Sequence, residues 1–226
     1  MKKKPLINKL VHPWLRRVLG ITKPKPFVAP RPLNSECLRD AKVFASRDDL
    51  ISSLSYRNFN RIAEIGVAWG DFSLVLIDRL KPREFHAFDL FHLHEASSFW
   101  GRKPNDTLQG KTHQEYIEEK LRISDVRIFK GDSSELLKSV CDKHYDLIYI
   151  DGAHDYDGVL ADTTEAIRTV TDNGILVFND YTIYDYASKE EYGVVHVVND
   201  LCVNGGWKIT GFALNNMMFC DVMLTR

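Results

Sequence analysis

The chain has 226 residues, of which 44% are hydrophobic and 27% are charged, and its formal net charge is −1. This length and composition suit one compact domain with a full hydrophobic core. The near-zero net charge argues against a nucleic-acid-binding protein, and the lack of about 18 consecutive apolar residues argues against a membrane span. The four cysteines are scattered without a paired spacing, so we expect reduced thiols in a cytoplasmic protein.

Residues 1–33 form a basic, proline-rich N-terminal arm. Its first 31 residues carry nine lysines and arginines and no acid, and the prolines favour an extended path. A short amphipathic helix is predicted within residues 7–19. We expect a tail or packing arm, and the alternative is contact with an anionic membrane surface or a partner. Charged residues and a proline interrupt the apolar stretch, so a secretory signal is not expected.

Residues 34–226 are predicted to form a single domain in which strands and helices alternate. A helix is expected from Asn34 or Ser35 towards Leu54, because a capping residue precedes an acid there. The regular part has predicted strands at 62–67, 85–91, 126–129, 147–150 and 175–178, and predicted helices at 72–80, 113–121, 134–140, 159–170 and 194–203. Residues 92–111 lack periodicity and are predicted to form a loop or lid. The alternation indicates a mostly parallel sheet with helices on both faces.

The C-terminal region follows a different pattern. Residues 207–214 and 218–224 are mostly apolar and are predicted to be strands. We assign only Asn215 and Asn216 to the connection between them. That connection is too short for a parallel crossover, so the two strands should form an antiparallel hairpin. The sequence therefore predicts an α/β, Rossmann-like fold with a mostly parallel seven-stranded sheet closed by a C-terminal hairpin.

A glycine-rich turn, in the segment AEIGVAWGDFS, follows the first predicted strand. Gly66 and Gly70 permit a tight turn and close approach of a ligand, and the next helix offers free N–H groups. The spacing is GxxxG rather than the GxGxxG of dinucleotide-binding enzymes. Glu64 would repel a phosphate but would suit an ammonium group. The alternative is a glycine-rich turn that binds no ligand.

Two further strand ends carry residues suited to a nucleoside. Asp89 ends the second strand about twenty residues after the glycine turn, where an acid can bind ribose hydroxyls. Asp132 and Ser133 follow the third strand, where a carboxylate can accept from an amino group such as adenine N6. The alternative for Asp132 and Ser133 is capping of the next helix.

The fourth and fifth strands end in a second set of polar side chains. Asp151 and His154 follow the fourth strand, and Asn179 and Asp180 follow the fifth. Open α/β sheets bind ligands at this edge, and the three oxygen donors could hold a hard cation such as Mg²⁺. His154 could then act as a general base. The alternative is that the acids cap helices and His154 makes only local hydrogen bonds.

Taken in order, these motifs resemble those of class I S-adenosylmethionine-dependent methyltransferases. EIGVAWGDFS is similar to their first motif, with Ala68 where many members have glycine. IDGAHDYDGVLAD followed by GILVFNDYT resembles the family of macrocin O-methyltransferase and related sugar O-methyltransferases. The resemblance covers roughly residues 60–226. Members often carry two acids before the tyrosine, and Asn179 replaces the first of them here.

The resemblance implies roles for individual residues. The cofactor-binding residues would be Glu64, Gly66, Val67, Ala68, Gly70, Ser73, Asp89, Leu90, Asp132, Ser133 and Asp151. Asp151, Asn179 and Asp180 would bind the metal, and His154 and Asp151 would be catalytic. The methyl donor would be S-adenosylmethionine, with Mg²⁺ or another divalent cation assisting transfer to a hydroxyl of a small molecule or glycan.

Three other functions stay open from the sequence. One is a cephalosporin-hydroxylase-like enzyme on the same fold, and another is a non-catalytic module that binds S-adenosylmethionine. The third is an NAD-dependent oxidoreductase, which the glycine spacing and Glu64 argue against. Unchanged turnover in Asp151→Ala and His154→Ala would favour the non-catalytic module. Nucleic acid is not an expected partner, and a homo-oligomer is compatible with the sequence.

Overall fold

The structure is a computed structural model that describes residues 28–122 and 125–226. Most of the basic arm, residues 1–27, lies outside these ranges, so its predicted amphipathic helix and membrane contact stay predictions. In the described ranges, no helix combines the length and the apolar character that crossing a membrane requires.

The described residues form an alternating series of strands and helices. The strands are β1 (Lys42–Phe44), β2 (Arg61–Ile65), β3 (Glu84–Asp89), β4 (Val126–Lys130), β5 (Tyr145–Ile150), β6 (Val170–Phe178), β7 (Tyr184–Asp185), β8 (Glu190–Glu191), β9 (Lys208–Ala213) and β10 (Asp221–Thr225). The α-helices are α1 (Arg47–Ser52), α2 (Asp71–Leu80), α3 (Pro104–Leu108), α4 (His113–Lys120), α5 (Ser133–Leu137), α6 (Tyr156–Thr169) and α7 (Val194–Asn204). Short 3-10 helices span Ser35–Leu38 and Leu93–Glu95.

Eight of these strands form one sheet in the order β1-β9-β10-β6-β5-β2-β3-β4. Neighbouring strands are parallel except where β10 pairs with β6 and β9. β10 therefore runs against the other seven strands. The predicted α/β fold, with a mostly parallel sheet and a C-terminal antiparallel hairpin, is confirmed, although the sheet has eight strands rather than seven. β7 and β8 form a separate small ribbon.

Both faces of the sheet are covered by helices. Leu147 on β5 packs in a core with Leu50 of α1 and Leu76 of α2. Ile148, the next residue along β5, points to the opposite face and packs in a core with Val159 of α6. This alternation follows from the two-residue period of a strand. It explains why β5 reads as a continuous apolar run, because a central parallel strand is buried on both sides.

The expected single helix over residues 34–54 is wrong. The segment instead forms a 3-10 turn, the edge strand β1 and the short helix α1. β1 pairs in parallel with β9, and the backbone N–H of Leu214 donates to the Phe44 carbonyl at 3.0 Å. The free edge of β9 offers backbone hydrogen bonds that outweigh a weak local helix preference. β1 is the strand missing from the predicted count.

The C-terminal hairpin has a longer connection than the two asparagines predicted. β9 ends at Ala213, and β10 begins at Asp221. Within the connection, the Met218 N–H donates to the Asn215 carbonyl at 2.9 Å, and Met218 has a φ of 65°. This local turn takes Met217 and Met218 out of the strand pairing. Both side chains are exposed, so their apolar character did not mark a strand.

Candidate functional site

The site predicted from sequence lies along one edge of the sheet. β2, β3, β4, β5 and β6 all point in the same direction, so the residues that follow them meet at their carboxyl ends. We call this the carboxyl edge, and the opposite side, where these strands begin, the amino edge. Open α/β sheets bind ligands at the carboxyl edge.

The glycine turn between β2 and α2 lies against the end of β5. Gly66 has a φ of 83°, and a Cβ atom added there would lie 1.9 Å from the Asp151 carbonyl oxygen. Only glycine fits this close approach. Gly70 also has a positive φ, 70°, and caps the beginning of α2. Ala68, between them, has a φ of 46°, so an alanine adopts the left-handed conformation that glycine adopts more readily.

Asp89 holds the glycine turn in place. Its Oδ2 accepts hydrogen bonds from the backbone N–H groups of Val67 at 2.8 Å and Ala68 at 3.2 Å. Its Oδ1 accepts from the Phe91 N–H at 2.7 Å. The carboxylate predicted to bind a ribose therefore orders the turn, and because Oδ2 already accepts two hydrogen bonds, the lone pair left for a further donor is on Oδ1. Leu90, beside it, is exposed, whereas Val67 is buried.

Glu64 and Ser73 pair with each other beneath the turn. The Ser73 hydroxyl donates to Glu64 Oε2, and both residues are fully buried. Burial raises the pKa of Glu64 well above its usual range, and the Ser73 hydrogen bond offsets only part of that shift. Their immediate structural role is to connect β2 to α2 below the surface where a ligand would lie.

Asp132 and Ser133 take separate roles at the end of β4. Asp132 caps α5 by accepting from the Glu135 N–H at 3.1 Å, which is the capping role that the sequence left open. The Ser133 hydroxyl donates to Asp162 Oδ1 at 2.5 Å. Asp162 is buried, and this burial raises its pKa to about 6. Asp162 was missed because it lies inside α6, away from the strand ends where polar residues were sought.

Asp151, His154 and Asp180 form the densest group of charged side chains at this edge. His154 Nε2 lies 3.4 Å from Asp151 Oδ1 and 3.3 Å from Asp180 Oδ2. One ligand atom from each of the three residues lies within 4.8 Å of the others. Two carboxylates at this separation can hold a hard divalent cation, and the imidazole beside them can serve as a base. His154 also stacks on Tyr192, with ring centroids 4.6 Å apart.

The pKa values in this cluster reflect crowding of negative charge. Burial and the Asp151 charge raise the pKa of Asp180 to about 6. Burial lowers the pKa of His154, but contact with Asp151 and the charges of Asp151 and Asp180 outweigh it, so the net direction is upward. The imidazole therefore accepts a proton more readily than an isolated histidine does.

Asn179 lies next to this cluster, and its amide nitrogen is already engaged. The Nδ2 group donates to Asp221 Oδ1 at 3.0 Å and to the Tyr149 hydroxyl at 3.3 Å. Within the described residues its Oδ1 is buried without a hydrogen-bond partner, so the oxygen predicted to bind a metal is uncommitted. Tyr149 also donates to Asp221 Oδ2 at 2.6 Å. Asp221 was missed because the predicted hairpin began β10 too early.

The predicted lid, residues 92–111, packs on the glycine turn. Phe99 lies edge-on to Trp69, with ring centroids 6.1 Å apart, and Arg102 pairs with Asp71 at 2.8 Å. His113, just beyond the segment, contacts the Ala68 carbonyl through Nε2 at 2.5 Å. The segment is therefore connected to the turn at several points rather than extending away from it.

Comparison with known proteins identifies the enzyme class. A family model described as a methyltransferase domain matches residues 63–181, more than half of the chain. The chain belongs to this methyltransferase family. The match includes the glycine turn and the Asp151, His154 and Asp180 cluster. No curated protein sequence matches the chain.

Solved structures show the same fold in other methyltransferases. A Staphylococcus aureus protein assigned as a caffeoyl-CoA O-methyltransferase is 17% identical, with coverage of 99% of this chain and 93% of that one and a TM-score of 0.56. A Klebsiella pneumoniae protein assigned as an O-methyltransferase is 18% identical, with coverage of 97% and 93% and a TM-score of 0.55. The N-methyltransferase NodS of Bradyrhizobium japonicum WM9, solved with S-adenosyl-L-homocysteine, is 14% identical, with coverage of 79% and 83% and a TM-score of 0.53. Together with the family match, these likenesses show that the chain is a methyltransferase with the class I fold.

Proposed function

We propose that this methyltransferase transfers a methyl group to a hydroxyl of a sugar, glycan or natural product, assisted by a divalent cation. The observation that carries the proposal is the Asp151, His154 and Asp180 cluster, whose ligand atoms lie within 4.8 Å of one another. It lies at the carboxyl edge beside the glycine turn, where donor and acceptor would meet. The two neighbours assigned as O-methyltransferases add support for oxygen as the acceptor atom.

The glycine turn and its neighbours fit an adenosyl cofactor. A Cβ atom at Gly66 would clash with the Asp151 backbone and one at Gly70 with the Ile117 side chain, so the two glycines keep the turn tight against the end of β5. Oδ1 of Asp89, which accepts one hydrogen bond, retains a lone pair for a ribose hydroxyl. Ser133, whose proton is donated to Asp162, keeps its lone pairs free for an amino group such as adenine N6.

The donor set also fits a hard cation. Asp151 and Asp180 supply carboxylate oxygens, and the amide oxygen of Asn179, the residue before Asp180, is uncommitted and would be a further ligand. A bound divalent cation would lower the pKa of an acceptor hydroxyl and orient it. Burial and then repulsion from Asp151 raise the pKa of Asp180, and a bound cation would relieve the repulsion.

The reaction would be an in-line displacement at carbon. The acceptor oxygen forms a bond to the methyl carbon as the bond from that carbon to the sulfonium breaks, which leaves a neutral thioether. His154 Nε2 takes the hydroxyl proton, and its stacking on Tyr192 holds the ring in position. Most of the acceleration would come from holding the oxygen and the methyl carbon in line.

The test measures release of S-adenosylhomocysteine with a panel of sugars, glycosides and hydroxylated natural products, with Mg²⁺ or with EDTA. We expect at least one acceptor to give turnover that EDTA suppresses, and Asp180→Asn to lower kcat by about a hundredfold or more. The matched control is Asp155→Asn, one residue from His154. Asp155 only caps α6, a role that asparagine fills equally well, so its turnover should match the wild type.

Three results would count against the proposal. Turnover that is insensitive to EDTA would remove the cation, and methylation of amines but not hydroxyls would remove the oxygen acceptor. Cofactor binding without turnover on any acceptor would favour the non-catalytic module or a hydroxylase-like reaction on the same fold.

A further inference from the structure

Arg47 is a half-buried cation close to the carboxyl edge that the sequence did not single out. It is the first residue of α1, which Ser46 caps by accepting from the Asp49 N–H. Its guanidinium carbon lies 4.1 Å from the centre of the Phe72 ring. Phe72 is the second residue of α2, directly after the glycine turn. The strand β1, which was not predicted from the sequence, directly precedes α1 and holds it in this position.

A chain of contacts connects Arg47 to the acidic cluster. Phe72 packs on Tyr149 with ring centroids 4.6 Å apart, and the Tyr149 hydroxyl donates to Asp221. Asp221 in turn accepts from Asn179, the residue before Asp180. The guanidinium is therefore next to both the glycine turn and the acids that follow β5 and β6.

Several charged or polar groups surround the Arg47 guanidinium. Burial lowers its pKa, but interactions with Tyr149, Asp221 and Asp151 outweigh burial and raise it. The same guanidinium lowers the pKa of Glu64 relative to what its burial alone would give. Arg47 therefore provides positive charge in a region where buried carboxylates predominate.

The guanidinium is not neutralised by a direct ion pair. In residues 28–122 and 125–226, no carboxylate oxygen lies within 4.0 Å of its nitrogens. A guanidinium has five N–H donors in a planar fork that fits a carboxylate through two parallel hydrogen bonds. Stacking on Phe72 restricts the orientation of the plane, so less rotamer freedom is lost when a ligand binds.

We infer that Arg47 binds the α-carboxylate of the methionine part of the cofactor. The inference rests on the methyltransferase assignment and goes beyond it by naming the residue that recognises this group. The amino group of the cofactor suits a region rich in carboxylates, whereas its carboxylate would be repelled there without a nearby cation. Arg47 supplies that cation beside the glycine turn.

The test compares two ligands that differ only in the carboxylate. Calorimetric dissociation constants are measured for S-adenosylhomocysteine and for its decarboxylated analogue, S-adenosyl-3-thiopropylamine. The wild type should bind S-adenosylhomocysteine about tenfold or more tightly than the analogue, and Arg47→Gln should abolish that preference by weakening S-adenosylhomocysteine alone. Arg47→Lys keeps the charge but loses the planar set of N–H donors. Its preference for S-adenosylhomocysteine over the analogue should therefore lie between those of the wild type and Arg47→Gln.

The matched control is Arg57→Gln. Arg57 also lies over a phenylalanine, Phe59, at 5.6 Å, but it donates to the Asn173 carbonyl towards the amino edge. Its substitution should leave both dissociation constants unchanged. Thermal unfolding of each variant separates loss of binding from loss of folding.

The outcomes separate this inference from the broader assignment. Equal weakening of both ligands by Arg47→Gln, or no weakening of either, would overturn the role of Arg47 while leaving the methyltransferase intact. A wild type that binds neither ligand would overturn the cofactor assignment, and with it this inference.

Discussion

Asp89 and Asp146 do the same local task at the two ends of β2. Asp146 Oδ2 accepts from the backbone N–H groups of Asn60 at 2.6 Å and Arg61 at 3.1 Å, where β2 begins. Asp89 Oδ2 accepts from two N–H groups of the turn that follows β2. Both carboxylates thus secure backbone donors that the sheet leaves unpaired.

The surroundings of the two aspartates differ. At the amino edge, charges meet opposite charges: Arg61 pairs with Glu84 at 3.1 Å, and Arg168 pairs with Asp142 at 2.6 Å. At the carboxyl edge, Asp151 and Asp180 both lie beside His154, and Ala68 has a left-handed backbone. The charges at the amino edge are paired with opposite charges, whereas the carboxyl edge retains a repulsion between carboxylates that a cation would relieve.

The largest expected effect is a loss of unfolding free energy at low pH, caused by a buried histidine near the amino edge. His86 is buried and bonded to the Tyr145 hydroxyl at 2.8 Å, and burial lowers its pKa from 6.5 to about 4. The unfolded state takes up the proton first as pH falls from 6.5 towards 4, so the wild type should lose about 3 kcal/mol of unfolding free energy in this range. Denaturant unfolding at several pH values should show that loss to be mostly absent in His86→Gln.

The control for His86 is the exposed His92. His92→Gln should keep the pH dependence of the wild type, because His92 is exposed and follows β3 at the carboxyl edge. A His86→Gln variant with the full wild-type slope would mean that other groups at the amino edge cause the acid sensitivity.

A smaller effect is expected from Arg168, which ties the end of α6 to α5. Its guanidinium donates to the carbonyls of Leu137 at 2.7 Å and Val140 at 2.8 Å. Arg168→Ala should lower the unfolding free energy by about 2 kcal/mol without changing the affinity for S-adenosylhomocysteine. Arg39→Ala, which breaks an exposed pair with Glu36, should cost less than about 0.5 kcal/mol. Equal losses of unfolding free energy in Arg168→Ala and Arg39→Ala would show that the partly buried contacts of Arg168 stabilise the fold no more than an exposed ion pair does.

The smallest effect concerns the strain at the carboxyl edge. Ala68 and Lys81 have the same φ of 46°, but Ala68 lies in the glycine turn and Lys81 ends α2. Glycine at either position should raise the unfolding free energy by about 1 kcal/mol, because it removes the cost of the left-handed conformation. Thermal unfolding measures both variants. Destabilisation by Ala68→Gly alone would mean that the turn does not hold this conformation in solution.

The sequence was sufficient for the regular part of the fold because its strands are central and buried on both faces. The apolar runs that became β2 and β5 end in polar residues within a position or two of the predicted ends, so the carboxyl edge could be located in advance. The edge strand β1 could not be predicted in the same way. Two of its three residues are exposed, and it forms only because β9, far along the chain, offers an unpaired edge.

The same distinction holds for the site. Asp89, Asp151 and Asp180 directly follow or end parallel strands, so topology alone brings them together. Asp221 begins an antiparallel strand, so inspecting the residues at the ends of the parallel strands does not find it. Arg47 lies on a helix that was predicted with the wrong boundaries, so no sequence pattern could place its guanidinium near the glycine turn.

The central claim is that the carboxyl edge binds the cofactor and the amino edge does not. Calorimetric titration of S-adenosylhomocysteine into Asp89→Asn and Asp146→Asn tests it most directly, because the same change is made at the two ends of β2. We predict that Asp89→Asn weakens binding about tenfold or more, whereas Asp146→Asn binds like the wild type even if it unfolds more readily. Equal affinities in the two variants, or a loss confined to Asp146→Asn, would contradict the account.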